Sequence, residues 1–137
     1  MASRRKERER ALQVLFTMDL TENWDADPEN AFVYPEGKTE SRLFSIELVI
    51  GVSREKKEID EEIQSAAKHW QLSRMNLIDR NLLRIAAFEL LFCKDIPVKV
   101  SINEALELAK IYGTAEARRF LNGILDKIAK GKKNQQG

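Results

Sequence analysis

Basic residues dominate the beginning of the chain, where five of them stand against two acids in the first ten positions. Guanidinium groups bind phosphates through paired, charge-assisted hydrogen bonds, and an aromatic ring can stack on an unpaired base. Phe16 lies two helical turns beyond Arg8 and would supply such a ring, although it also fits the apolar stripe of a helix. The segment therefore indicates an anion-binding surface, with a core role for Phe16 as the alternative. Its bases are Arg4, Arg5, Lys6, Arg8 and Arg10.

Residue types that are typical of catalytic and metal sites are few and scattered. Cys93 stands on an apolar helix, where a thiol is buried and inert, and His69 is the single histidine. The chain has no CxxC or HExxH spacing and no glycine-rich phosphate loop. The acids at 60–62 are consecutive, so they point in different directions around a helix. We therefore expect no enzyme, no metal site and no cofactor.

Composition indicates a single helical domain that is soluble in water. The 137 residues are 43% hydrophobic and 33% charged, and their few glycines and prolines disfavour a fold of many short strands. No apolar run approaches the ~18 residues of a membrane span, and the N-terminus lacks the apolar core of a signal peptide. We expect a single cytoplasmic domain over residues 1–137, with a basic arm at 1–10 and a flexible tail at 132–137.

Apolar residues recur at helical spacing through almost the whole chain, which predicts an all-α bundle of about six helices and one longer loop near 24–39. The stripe of the third helix is expected to bury Trp70. Local signals at the helix ends predict N-caps at Ser73 and Thr114, a capping box of Ser101 and Glu104, a left-handed C-cap at Gly113 and a helix stop at Gly131.

Several motifs occur together in a familiar order. The most specific are KVSINEALELAK at 99–110, followed by Tyr112-Gly113, and FLNGILDK at 120–127. LRIA at 83–86 and the turn at 95–97 agree with them. In these motifs, and over nearly its whole length, the chain resembles the NusB family of bacterial transcription antitermination factors. The resemblance implies two packed three-helix subdomains and a function without chemistry.

The resemblance also implies partners. NusB-like proteins pair with ribosomal protein S10, also called NusE, and the pair binds the single-stranded boxA element of nascent transcripts, notably ribosomal RNA. This pair seeds a complex with RNA polymerase and other Nus factors that suppresses termination.

By position, the resemblance assigns roles to individual residues. Phe16 stands where the family usually has a tyrosine, so it keeps a stacking ring but lacks the hydroxyl. Asp79 matches an acidic position at the S10 interface, and its polar setting beside Arg80 predicts that it is exposed. For Phe120 a place in the core competes with contact to RNA. The full RNA-binding set is Arg4, Arg5, Lys6, Arg8, Phe16, Arg84, Glu116, Arg119 and Phe120.

Two other functions compete with this adaptor. A NusB-like module also begins certain rRNA cytosine methyltransferases, but these enzymes need a following domain that binds S-adenosylmethionine, and no such domain occurs before Gly137. A helix-turn-helix DNA regulator is disfavoured because residues 19–62 hold thirteen acids against five bases. We therefore expect the adaptor.

Overall fold

The computed structural model describes residues 4–25 and 39–136, and all regular structure in these ranges is helical. A 3₁₀ turn at Leu72–Arg74 precedes the fourth helix. The predicted all-α bundle is confirmed, whereas most of the predicted loop at 24–39 lies outside the described residues. No described helix has both the length and the apolar character needed to cross a membrane. The helices are α1 (Arg4–Thr21), α2 (Thr39–Arg54), α3 (Lys56–Ala66), α4 (Leu77–Phe92), α5 (Val98–Tyr112) and α6 (Ala115–Gln136).

Helix α4 is the centre of the bundle because it contacts each of the other five described helices. Ten consecutive residues, 81–90, are buried, as expected for a helix that is apolar nearly all round. The two sets of three helices, α1–α3 and α4–α6, contribute to one continuous cluster of buried apolar side chains. Each fully buried leucine or isoleucine in it stabilises the fold by about 1.5–3 kcal/mol.

The N-terminal ends of α4 and α6 are capped by side chains. Asn76 caps α4, since its Oδ1 accepts a hydrogen bond from the Asp79 amide at 2.8 Å. The predicted cap at Ser73 is wrong, because Ser73 lies in the preceding 3₁₀ turn. Thr114 caps α6 as predicted, and its hydroxyl accepts from the Ala117 amide at 3.1 Å.

Helix α5 begins one turn earlier than the capping-box motif predicts. Pro97 precedes its first residue, and no side chain caps this end. Ser101 is therefore inside the helix and buried, and Glu104 faces the side of α1. The predicted capping box is wrong because both side chains form tertiary contacts in place of local ones.

Three further expectations about helix ends are also wrong. Gly113 has φ −121°, an extended conformation and not a left-handed one. Helix α6 continues through Gly131 to Gln136, so residues 132–136 of the predicted tail are helical. A single glycine costs a helix only about 1 kcal/mol, which a long helix tolerates. Trp70 lies beyond the end of α3 and is 59% exposed, so it is not part of the buried stripe.

Close packing of α2 on α4 depends on Gly51. A Cβ atom built at this position would overlap three carbon atoms of the Phe88 ring. We expect Gly51→Ala to destabilise the protein by about 1–2 kcal/mol, because the buried ring must move. Urea unfolding measures this cost. Gly123→Ala is the control, since a Cβ there meets nothing within 4 Å and should stabilise the helix by about 0.5–1 kcal/mol. Equal effects of the two substitutions would contradict the close approach.

Candidate nucleic-acid interface

The basic segment forms the first two turns of α1 from Arg4 onward, so these residues are helical and not an extended arm. Arg4, Arg5 and Lys6 are exposed. The Arg4 guanidinium lies over the ring of Phe44, 4.4 Å from its centre. Arg5 and Phe16 are eleven residues apart, close to three full turns, so they share one face of α1 about 17 Å apart. The face presents charge at one end and an aromatic ring at the other.

Arg8 differs from its neighbours because its guanidinium is buried, with the side chain only 2% exposed. Its Nε and Nη2 donate to the two carboxylate oxygens of Glu89 on α4, at 2.8 and 2.7 Å. The Ser101 hydroxyl donates to the same carboxylate at 2.8 Å. The predicted RNA contact of Arg8 does not fit this placement. Arg8 attaches α1 to the central helix instead.

Arg84 is also buried, and it joins three parts of the fold. Its guanidinium donates to Asp60 on α3 and to Asp19 on α1, at 2.8 and 3.0 Å. Asp19 also accepts from Arg80 and Asn81. Burial alone would raise the pKa of Asp19, but these hydrogen bonds and the charge of Arg84 outweigh it and lower the pKa. Arg84 is therefore a structural residue, in contrast to the RNA-binding role expected for it.

Phe16 is half-buried and stands outside the buried apolar cluster. It lines a groove of about 320 Å³, together with Ile78 of α4 and Tyr112 of α5, which we call the Phe16 groove. The Tyr112 hydroxyl donates to Glu9 on α1. This hydrogen bond, with partial burial, raises the pKa of Tyr112 to about 12. The surroundings of Phe16 favour an exposed role over a core role.

A second, larger groove of about 690 Å³ brings together three of the predicted residues, Asp79, Glu116 and Phe120. We call it the Trp70 groove, after the exposed tryptophan that forms one wall. The rings of Trp70 and Phe120 meet edge to face, with centres 5.2 Å apart. Phe120 is half-buried and also touches the core, so it belongs to both environments. Periodicity missed Trp70 as a surface residue, although its polar neighbours Lys68, His69 and Gln71 are a signal for exposure.

Asp79 lines the Trp70 groove and is only 8% exposed, so the expectation that it is exposed is wrong. Its Oδ2 accepts from Asn76 Nδ2 at 2.9 Å, whereas its Oδ1 has no hydrogen-bond partner in the described part of the chain. Burial raises the pKa of this carboxyl group. An unpaired buried acceptor costs about 1–3 kcal/mol. Asp79, which lines the groove, therefore keeps one buried carboxylate oxygen without a partner among the described residues.

The remaining predicted residues lie on the first two turns of α6, where Glu116 and Arg119 are exposed. Consecutive residues of α4, Ile78 and Asp79, line the Phe16 groove and the Trp70 groove respectively, so the two grooves are neighbours.

Cys93 is buried, and burial raises the pKa of its thiol to about 11. Within residues 4–25 and 39–136, no three metal-binding side chains form a cluster.

The sequence matches the family model described as NusB over residues 5–130. The chain belongs to the NusB family. One similar relative is the transcription antitermination protein NusB of Desulfitobacterium hafniense, which is 46% identical. That alignment covers 98% of this chain and 95% of the relative. The NusB protein of Bacillus pumilus is 41% identical, with 96% and 98% covered.

Solved NusB structures have the same fold. NusB from T. maritima superposes with a TM-score of 0.82 at 36% identity, over 94% of this chain and 92% of that one. A crystal structure of the antitermination factors NusB and NusE in complex with double-stranded RNA contains a chain that superposes with a TM-score of 0.78 at 27% identity. That match covers 93% of this chain and 96% of the other.

Proposed function

We propose that this NusB-family chain is a transcription antitermination factor that pairs with ribosomal protein S10 (NusE) and binds single-stranded boxA RNA. Through this pair it acts on RNA polymerase and other Nus factors indirectly, in the cytoplasm and without catalysing a reaction. The observation that carries the proposal is family membership along the whole fold, supported by likeness to a NusB chain in a NusE–RNA complex. Relatives named as antitermination proteins align over 95% of their own length, which favours the adaptor over a methyltransferase module.

The RNA-binding surface in this proposal follows the exposed face of α1. Arg4, Arg5 and Lys6 contact phosphates at its start, and Phe16 stacks on a base near its middle. Arg119 extends the basic surface on α6. Glu116 and Phe120 were expected to contact RNA, but in this proposal they belong to the protein-binding surface because they line the Trp70 groove. The buried arginines fix the orientation of α1, so the exposed ones hold their positions before RNA arrives.

The protein-binding surface is the Trp70 groove. The groove is lined by two acids, Asp79 and Glu116, and by one arginine, Arg74. It therefore suits a cationic group better than a phosphate. Exposed tryptophan is typical of interface residues that contribute most to binding. In this proposal S10 occupies the groove through a cationic group that its two acids attract.

A size-exclusion experiment tests the proposal. The protein, purified S10 and a boxA RNA should elute together as one complex, and a scrambled RNA of equal length should elute separately. Failure of S10 to co-elute with the protein under any RNA condition would contradict the proposed pairing.

We expect Asp79→Asn to weaken S10 pairing while leaving the fold as stable or slightly more so. The amide keeps an oxygen for Asn76 but removes a buried charge that lacks a full set of partners. Isothermal titration with S10 measures pairing, and thermal melting measures stability. Asp126→Asn is the matched control, because Asp126 is an exposed acid that pairs with Lys130 at 2.9 Å. Unchanged S10 affinity in the Asp79 variant would remove this residue from the interface.

The raised pKa of Asp79 gives the pairing a pH dependence of known sign. Because the folded-state pKa lies above the unfolded value, protonation of Asp79 stabilises the free fold as the pH falls through the folded pKa. S10 pairing needs the ionised form and should weaken over the same range. Asp79→Asn should abolish this component, whereas Asp126→Asn should retain it.

A further inference from the structure

A ladder of alternating charges runs from the core to the surface beside the first turn of α1. Buried Glu89 binds buried Arg8, whose Nη1 lies 3.9 Å from Glu104 Oε1 on α5. Glu104 in turn binds Arg5, with Nε and Nη2 both within 2.8 Å of its Oε2. Glu104 is 17% exposed and Arg5 is 45% exposed. Each charge fixes the next one, and the last guanidinium reaches solvent.

Arg5 is oriented by this ladder but keeps donors to spare. Glu104 engages Nε and Nη2, and the hydrogen bond raises the pKa of Arg5. The Nη1 group makes no hydrogen bond to a described residue, so its two N–H donors are available. A guanidinium held on one edge and open on the other is suited to a phosphate oxygen.

A groove of about 610 Å³ opens directly beside this guanidinium, and we call it the Arg5 groove. One face of α5 forms its floor, with residues at i, i+3, i+4 and i+7 spacing. Lys99 and Asn103 are exposed along it, and Ile102 and Leu106 are half-buried between them. The groove thus combines two cations, an amide and apolar side chains. The lining residues include Arg5, Lys99, Ile102, Asn103, Glu104 and Leu106.

We propose that the Arg5 groove binds one nucleotide of the RNA, with Arg5 and Lys99 on its phosphate, Asn103 beside its base or sugar, and Glu104 as the positioning residue for Arg5. The proposal rests on the proposed RNA-binding function and deepens it. The occupant is RNA because the groove is continuous with the exposed basic turn of α1 and carries two cations against a single acid. The apolar floor provides a surface for a base or sugar.

The first test compares Lys99→Ala with Lys57→Ala in RNA titrations of the S10 complex. Lys57 is an exposed lysine on α3 among glutamates, so both variants lose the same charge. We expect Lys99→Ala to weaken binding roughly three- to tenfold and to reduce the log–log salt slope by about 0.7, the value of one single-strand phosphate contact. Lys57→Ala should match the wild type.

Shortening the RNA from each end, one nucleotide at a time, locates the occupant. Removal of the nucleotide that occupies the groove should weaken binding to the wild-type protein by about the same factor as Lys99→Ala. The shortened RNA should then bind the Lys99→Ala variant no more weakly than it binds the wild type. If the wild-type protein binds RNA and the Lys99→Ala and Lys57→Ala variants bind it with equal affinity, the proposed role of the groove is overturned. The proposed function would then still stand. Loss of S10 pairing in Lys99→Ala without loss of RNA affinity would assign the groove to protein instead and overturn the proposal.

Glu104→Ala tests the positioning role, because electrostatics alone and loss of the Arg5 support predict opposite changes in RNA affinity. Removing an acid from an RNA-binding surface should strengthen binding, whereas loss of the Arg5 support should weaken it, by roughly threefold. Glu104→Gln, which keeps an acceptor for Arg5, should be intermediate. In an Arg5→Ala background neither substitution should weaken RNA binding, because only the electrostatic effect of Glu104 remains. Tighter RNA binding by Glu104→Ala, in a variant that melts normally, would show that Glu104 competes with RNA and would contradict the positioning role.

Discussion

Replacing Glu89 by leucine should destabilise the protein by about 3–5 kcal/mol, because it leaves the Arg8 guanidinium buried without its partner. The Ser101 hydroxyl would lose its acceptor as well. Urea unfolding at neutral pH measures the loss. The double variant Arg8→Met with Glu89→Leu should recover most of the stability, since apolar residues of similar volume replace a buried pair well.

The same double variant decides what Arg8 does. Because Arg8 is buried and attaches α1 to α4, it should not touch RNA, and the folded double variant should lose no more than the roughly threefold in RNA affinity that weaker support of Glu104 and Arg5 would cause. A double variant that folds normally but loses much more RNA affinity than this would show that Arg8 contacts RNA. Lys130→Ala is the control for stability, because its pair with Asp126 is exposed and should contribute less than about 0.5 kcal/mol.

Phe16→Ala should reduce RNA affinity by about 1–3 kcal/mol, the value of one stacked base, with little change in melting temperature. Phe16 is half-buried in its groove and is outside the buried cluster, so its loss leaves no sealed cavity. A core phenylalanine would instead cost about 3–5 kcal/mol of stability. Fluorescence anisotropy with a labelled boxA RNA and thermal melting separate the two outcomes.

Phe16→Tyr is the conservative variant for this site. A half-exposed ring can place the added hydroxyl in solvent, so we expect normal stability and equal or tighter RNA binding. A sealed apolar site would have to bury the hydroxyl unpaired, at about 1–3 kcal/mol. A tyrosine variant that melts markedly earlier and binds RNA no better would contradict the exposed role.

Apolar periodicity predicted the helices because each one buries a stripe that local spacing reveals. The same stripe could have placed Arg8 correctly. Arg8 precedes Ala11, Leu12 and Leu15 at i+3, i+4 and i+7, so its position falls on the buried face of α1. The partner that makes this burial favourable, Glu89, is 81 positions away, and no local pattern indicates it.

Competing local signals explain the errors at helix ends and at the Trp70 groove. Ser73 and Asn76 are both good caps, and only the 3₁₀ turn at 72–74 decides between them. Asp79 follows that cap by three residues, which places its carboxylate within hydrogen-bond distance of Asn76. Asp79 shares this groove with Trp70 and Phe120, which belong to different parts of the chain and meet only in the folded protein.

A boxA RNA titration of the protein with and without saturating S10, repeated over a salt series with a scrambled RNA as control, is the decisive test of the adaptor function. The proposed RNA-binding surface of the protein alone offers four exposed cations, Arg4, Arg5, Lys6 and Arg119, and the Arg5 groove adds Lys99. The protein alone should therefore bind weakly, with a log–log salt slope of about −3 to −3.5. S10 should tighten binding to boxA RNA and have a smaller effect on the scrambled RNA. An RNA affinity that S10 leaves unchanged would contradict the role of this chain as an adaptor between S10 and RNA.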